Sequence, residues 1–350
     1  MLLDSFRPKS CLVTKSTQVM RPRFPVIDAH NHIGDEFGGG WIHRPVTELI
    51  DILDQVNVKL YVDLDGGWGE DVLASHIDKF KSAYPDRFQV FGGVNWEIWR
   101  TLGDAFPEWA ASRLRVQQVL GADGLKIWKN FGLQVCDNKG DLVMVDDVRL
   151  DPIWIAAGEL KLPVMIHVAD PVAFFAPLNE TNERWEELTA NPDWQFSSPQ
   201  YPPFSLIIEG FANLVKRHPH TIFIGAHVGC YAENLMWVAD LMDNCPNFYV
   251  DISARIGELG RQPYTSRQFF IGHSDRILFG SDFGPDLGAY RLTYRFLETD
   301  DEYFNYNVGE IPQQGRWYAY GLHLPDEVLQ KIYYSNAENL FVNKSDHYIR

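Results

Sequence analysis

The sequence predicts an α/β protein, a (β/α)8 TIM barrel with long loops after strands 5 and 8. Three observations predict it. Apolar runs of strand length begin near residues 24, 58, 88, 123, 163, 221, 247 and 277. The segments between them place apolar residues at helical spacing, and strict alternation of strand and helix implies parallel pairing with helical crossovers. Eight such units over about 260 residues have the size of a closed barrel, and the first run ends in His30-Asn-His32 where an open doubly wound sheet would show a Gly-rich phosphate loop.

The elements follow in order. Residues 1–23 carry scattered charges and Pro8 and read as an N-terminal extension that packs over the domain or frays, with 24–350 as the single barrel domain. After the opening strand, the run Gly38-Gly-Gly40 and Trp41 suggest a mobile loop beside the candidate site. Val46, Leu49, Ile50, Leu53 and Val56 form one apolar helix face before the strand Val58–Asp63. Helices over 71–84, 104–120 and 152–161 alternate with strands Phe88–Val94, Asp123–Lys129 and Pro163–Val168. Ile207, Phe211, Leu214 and Val215 mark a further helix before Thr221–His227. A helix over 232–242 then precedes Asn247–Ser253, and Arg276–Asp282 closes the series. The connections 169–206 and 283–325 are long and aromatic-rich, which suits lids or packing elements on the face where barrel active sites are built.

Composition narrows the function. Hydrophobic content of 45% supports a packed core, and 31 basic against 47 acidic residues give a net charge of −16. That charge argues against nucleic-acid and anionic-membrane partners, since both present negative surfaces. Cys11, Cys136, Cys230 and Cys245 lie far apart without a C-x-x-C pair, as isolated thiols in a reducing compartment would. With no signal-type apolar block or spanning run, the expectation is a cytoplasmic protein acting on a small-molecule substrate, with homo-oligomerisation left open.

The chemistry gathers at one rim. His30 and His32 end strand one, His167 strand five, His227 strand six and Asp282 strand eight. Alternate side chains of a strand share a face, so His30 and His32 are expected to point the same way. Histidine nitrogens with one carboxylate suit zinc and related divalent ions and leave a position open for water or substrate.

These residues resemble the amidohydrolase superfamily. The phrasing Val26-Ile-Asp-Ala-His-Asn-His32, Gly225-Ala-His-Val-Gly229 and Leu278-Phe-Gly-Ser-Asp-Phe-Gly-Pro285 is similar to its amidohydrolase-2 branch, which holds aminocarboxymuconate-semialdehyde decarboxylase, resorcylate-type decarboxylases and some lactone hydrolases. Ser335-Asn-Ala-Glu-Asn-Leu-Phe341 is similar to the closing helix of such proteins, so the resemblance spans roughly 24–342. It implies His30, His32, His167 and Asp282 as ligands of one divalent metal, Zn2+ first and Mn2+ second. It implies His227 as the residue that handles protons, with Asp282 sharing that catalytic role. Binuclear members carry a carboxylated strand-four lysine, so Lys126 and Lys129 leave the metal count open.

Lys129, Arg255, Arg291 and Trp41 are the candidates for substrate contact; Asp251, Arg295 and Arg44 are weaker. His43, His76, His218, His220, His273, His323 and His347 fall in helices or outer loops and are assigned no chemistry. The leading expectation is hydrolysis of a small carboxylated or cyclic compound by metal-activated water. The alternative is nonoxidative decarboxylation, and a noncatalytic metal-binding barrel is the contrasting reading.

Overall fold

The structure, a computed structural model, describes residues 9–35, 39–307, 309, 312 and 314–343. Eight parallel strands follow one another in chain order: β1 Val26–Asn31, β2 Val58–Asp63, β3 Phe88–Gly93, β4 Gly124–Ile127, β5 Val164–Ile166, β6 Phe223–Gly225, β7 Phe248–Asp251 and β8 Ile277–Leu278. Two backbone hydrogen bonds join the ends of this series, Ala29 N–H to the Phe279 carbonyl and Asp282 N–H to the His30 carbonyl, both 2.9 Å. The expected (β/α)8 barrel is therefore the observed one. The main helices after each strand are α1 Val46–Gln55, α2 Glu70–His76, α3 Phe106–Leu120, α4 Asp151–Glu159, α5 Phe204–Arg217, α6 Leu235–Asn244, α7 Pro263–Gly272 and α8 Leu287–Glu298.

Local sequence explains the helices. In α1 the apolar positions recur three and four residues apart, and Leu49 and Leu53 are fully buried against the barrel. Burying each is worth about 1.5–3 kcal/mol. Helix α8 lies inside the connection 283–325 and was not expected as a helix. The Asp286 side chain accepts from Ala289 N–H at 2.8 Å and caps its start. Its buried face is Tyr290, Tyr294 and Leu297, where the hydroxyls of two tyrosines disguise an apolar stripe. Those hydroxyls are used: Tyr290 donates to Asp28 at 2.5 Å and Tyr294 to the Val56 carbonyl at 2.9 Å.

Side chains alternate between two cores. Leu125, Ile127, Val164, Ile166 and Val250 face the helices. Ile27, Ala29, Val62, Phe91, Met165, Ile224 and Leu278 fill the lumen, together with Leu340 and Phe341 from the terminal segment. Asn336 holds that segment by donating to the Ser274 and Ile277 carbonyls at 2.7 and 2.8 Å. The extension is tied to the barrel at Thr17, which donates through N–H and Oγ1 to Asp301 at 2.6 and 2.7 Å. The Gly38–Gly40 loop is described only from Gly39 on, and Gly38 and His347 lie outside the described residues.

Candidate metal and catalytic site

The strand-one histidines owe their aim to a bulge. Pairing of β1 with β2 shifts register between Asp28 and Asn31, so β1 spends one more residue there than β2. Asp28 and Asn31, three apart, consequently share a side and both lie within hydrogen-bond reach of Ser281 Oγ, at 2.7 and 2.5 Å. His30 and His32 turn the other way, to the mouth of the lumen. Simple alternation predicts their common face and misses the bulge that sets it.

Each ring is fixed through Nδ1. Asp251 Oδ2 lies 2.9 Å from Nδ1 of His30, and Asp65 Oδ1 lies 2.8 Å from Nδ1 of His32. With those protons donated, both Nε2 atoms present lone pairs, and they meet one oxygen: Asp282 Oδ1 is 3.3 Å from His30 and 3.2 Å from His32. Two nitrogen lone pairs facing a half-buried carboxylate oxygen repel unless a proton or a cation sits among them. Ligands about 2.1 Å from a common ion would stand at roughly such separations. The donors lie within 4.8 Å of one another, and carboxylates behind both rings complete a carboxylate–histidine–metal pattern. The residues fit a divalent cation.

The electrostatics call for positive charge among these donors, a proton on His32 where no cation sits. Burial works against charge on His32, but the carboxylates of Asp282 and Asp65 outweigh it and hold its pKa up at about 9. Burial also dominates at His30 and lowers its pKa despite Asp251. Asp282 stays far below the ordinary carboxylate range: burial opposes its charge, and the surrounding histidines more than offset that. Its φ of 55° is a left-handed conformation for a non-glycine residue, the kind of local strain that persists where surroundings over-determine it.

Strand six ends in a sharper device. His227, Val228, Gly229 and Cys230 have φ of 57, 60, 66 and 60°, one left-handed turn. Each non-glycine residue there costs about 1–2 kcal/mol. The turn folds back so closely that a Cβ on Gly225 would lie 2.7 Å from Gly229 Cα, which explains both glycines of the Gly-Ala-His-Val-Gly run. It aims His227 inward. Nδ1 of His227 donates to the Ser253 carbonyl at 2.9 Å, leaving Nε2 as an acceptor 3.6 Å from Asp282 Oδ2. Burial, with Arg255 and His167 nearby, keeps His227 well below its ordinary pKa and therefore neutral at pH 7.

His167 stands apart from the three donors. Its ring packs edge-on against His227 with centroids 4.5 Å apart. Its Nε2 is buried without a hydrogen bond among the described residues, though Asp170 Oδ1 lies 3.4 Å away. Burial first, against the pull of Asp170, lowers its pKa to about 4. His167 thus borders the site through His227, outside the tight His30–His32–Asp282 cluster.

The substrate-contact candidates divide. Lys129 donates to Asp170 at 2.6 Å and lies over the Trp194 and Phe196 rings at 5.9 and 5.6 Å, so its charge is engaged. Arg255 is buried beside His227 and donates to the Ala254 carbonyl at 2.9 Å. Arg291 sits on α8 rather than in a loop, with Nε buried and unpartnered among the described residues. Trp41 is packed into the core beneath the Arg44 guanidinium, 3.6 Å from its ring centroid.

Several residues of the site escaped sequence reasoning. Asp65, in the turn after β2, orients His32 and was not singled out; Asp251, read only as a weak candidate for substrate contact, instead orients His30. His76, assigned no chemistry, is buried; its Nδ1 lies 2.5 Å from Asp63, whose other oxygen accepts from Asp65 N–H at 3.0 Å. Trp128 stacks on His32 at 5.1 Å and on Trp68 at 4.2 Å, a flat wall beside the donors.

Comparison with known proteins now bears on these residues. No curated protein matches the chain by sequence. Among solved structures it is similar to 2,6-dihydroxybenzoate decarboxylase from Rhizobium: 15% identity, 94% of this chain and 100% of that one, TM-score 0.55. It is similar to 5-carboxyvanillate decarboxylase from Novosphingobium aromaticivorans DSM 12444, complexed with manganese and 4-hydroxy-3-methoxy-5-nitrobenzoic acid: 14% identity, 93% and 99% covered, TM-score 0.53. It is also similar to dihydroxybenzoic acid decarboxylase from Polaromonas sp. JS666 with bound manganese and 2-nitroresorcinol: 17% identity, 85% and 86% covered, TM-score 0.52. At these identities the likeness carries the fold. The model of the amidohydrolase family matches residues 97–342, more than half of the chain, and the match includes His167, His227 and Asp282. The chain belongs to the amidohydrolase family, in its amidohydrolase-2 branch, and is a metal-dependent enzyme of hydrolase or carboxy-lyase type.

Proposed function

We propose that the chain is a nonoxidative carboxy-lyase acting on a small planar carboxylic acid. The observation that carries the reading is the aromatic wall His32–Trp128–Trp68, which sets a flat face directly against a candidate metal donor. Similarity to decarboxylases solved with manganese and a nitro-aromatic compound bound supports the same reading. Hydrolysis, the leading expectation from sequence, gives way here to its alternative.

His30, His32 and Asp282 would hold the divalent ion, manganese tried before zinc, and the ion would supply Lewis acidity toward an oxygen of the bound acid. The chain's own residues do the rest. The Trp128–Trp68 stack would border the bound ring, and burial keeps bulk water from His30, Asp251 and His227. The carbon–carboxylate bond breaks, its electron pair stays on the carbon, and carbon dioxide leaves. The carbon then takes one proton from solvent, relayed through Nε2 of His227, whose tautomer the Ser253 carbonyl fixes.

The test is a manganese-loaded preparation offered 2,6-dihydroxybenzoate and related ortho-hydroxy aromatic acids in deuterium oxide. Carbon dioxide equal to product, with deuterium at the vacated carbon, is the expected result. His227→Gln should lower kcat at least about 100-fold. Acid release from lactone or ester probes, with no carbon dioxide from any acid, would return the site to hydrolysis.

A further inference from the structure

Lys126 is the buried charge that the chemistry above leaves unused. It lies on β4 between Leu125 and Ile127, both packed toward the helices, so its side chain enters the lumen. It is 1% exposed, and its Nζ makes neither a hydrogen bond nor an ion pair among the described residues. Lysines at strand ends usually snorkel to water. This one is closed in: the Trp128 ring centroid stands 4.9 Å from Nζ, and a Cβ on Gly67 would lie 3.1 Å from Lys126 Cβ.

An unpaired ammonium in such a place is strongly unfavourable without an acceptor. The nearby carboxylates are committed elsewhere: Asp251 accepts from His30 and Ser253, Asp65 faces His32, and Asp282 faces His30 and His32. Their fields, and those of His30 and His167, reach Lys126 from around the mouth.

We propose that Lys126 is the anion anchor of the site and that its Nζ takes a carboxylate oxygen of the substrate. The inference rests on the reading of a small carboxylic-acid substrate and adds the residue that recognises the acid. It moves that role from Lys129, which Asp170 neutralises, to the lysine three positions earlier.

Binding of benzoate and of neutral, isosteric benzamide to the manganese-loaded protein tests it, by calorimetry or Trp fluorescence. Wild type should favour benzoate. Lys126→Met, with unchanged metal content and circular dichroism, should weaken benzoate at least about tenfold and benzamide less than about twofold. Lys126→Arg should restore part of the difference. Equal loss for both probes, no loss for either, or wild type without preference for benzoate would overturn the anchor. So would an intact mass raised by one carbon dioxide and localised to Lys126, because a carbamate would reverse its charge. Carbon dioxide release with an unaltered benzoate affinity in Lys126→Met would sink this inference alone. A Lys126-dependent preference in a protein that releases no carbon dioxide would sink the carboxy-lyase reading alone.

Discussion

Asp65 Oδ1 lies 2.8 Å from Nδ1 of His32, and that contact decides which ring nitrogen is left to bind. With the Nδ1 proton committed, Nε2 alone faces Asp282. Asp65 is itself held by Gly34 N–H at 2.6 Å and, through Asp63, by His76. The donor cluster therefore extends three residues behind the atoms that would touch metal.

Asp65→Asn should keep the fold and weaken manganese binding about 10–100-fold, as loss of an orienting carboxylate does in metalloproteins. Competition against a fluorescent chelator measures it. An affinity within twofold of wild type would show that Asp65 does not position His32.

Acid stability isolates a second relationship. Arg149 Nη1 donates to Asp137 at 2.7 Å, and with the Lys139 and Asp141 N–H groups it holds the Asp137 carboxyl down at about 2 against its ordinary 3.8. The folded state thus binds fewer protons than the unfolded state between these values. The stabilisation is present above 3.8 and is lost as pH falls toward 2. Asp137→Asn should lower Tm at neutral pH and flatten its fall across that window; parallel curves for the two proteins would contradict the pairing.

The eight strands were legible because parallel barrel strands are continuous apolar runs, and each observed start lies within two residues of its expected one. The rim residues were legible because a polar side chain closing such a run stands out. Helix α8 was not, since Tyr290 and Tyr294 bury rings while their hydroxyls read as polar. The roles of Asp65 and Lys126 were illegible for another reason. A carboxylate that orients a ring and an ammonium without a partner are defined by neighbours distant in sequence. Sequence favoured Lys129, nearer the strand end, for substrate contact, yet the structure pairs it with Asp170 and leaves Lys126 Nζ without a partner among the described residues.

Thiol reactivity checks the packing. Cys230 and Cys245 are buried, and burial pushes the Cys230 thiol up to about 11, whereas Cys11 is exposed. Since the thiolate is the reactive form, iodoacetamide at pH 8 should label Cys11 in the native protein and leave Cys230 and Cys245 untouched until denaturant is added. Mass mapping of the labelled sites reads the result; fast native labelling of Cys230 would mean that the turn after β6 opens.

The measurement that bears most directly on the account is elemental analysis of the purified protein beside Asp282→Ala. The account predicts one divalent ion per chain in the wild type and its loss in a variant that still folds, because Asp282 supplies the oxygen on which His30 and His32 converge. No metal in the wild type, or full retention in Asp282→Ala, would contradict the site at its centre.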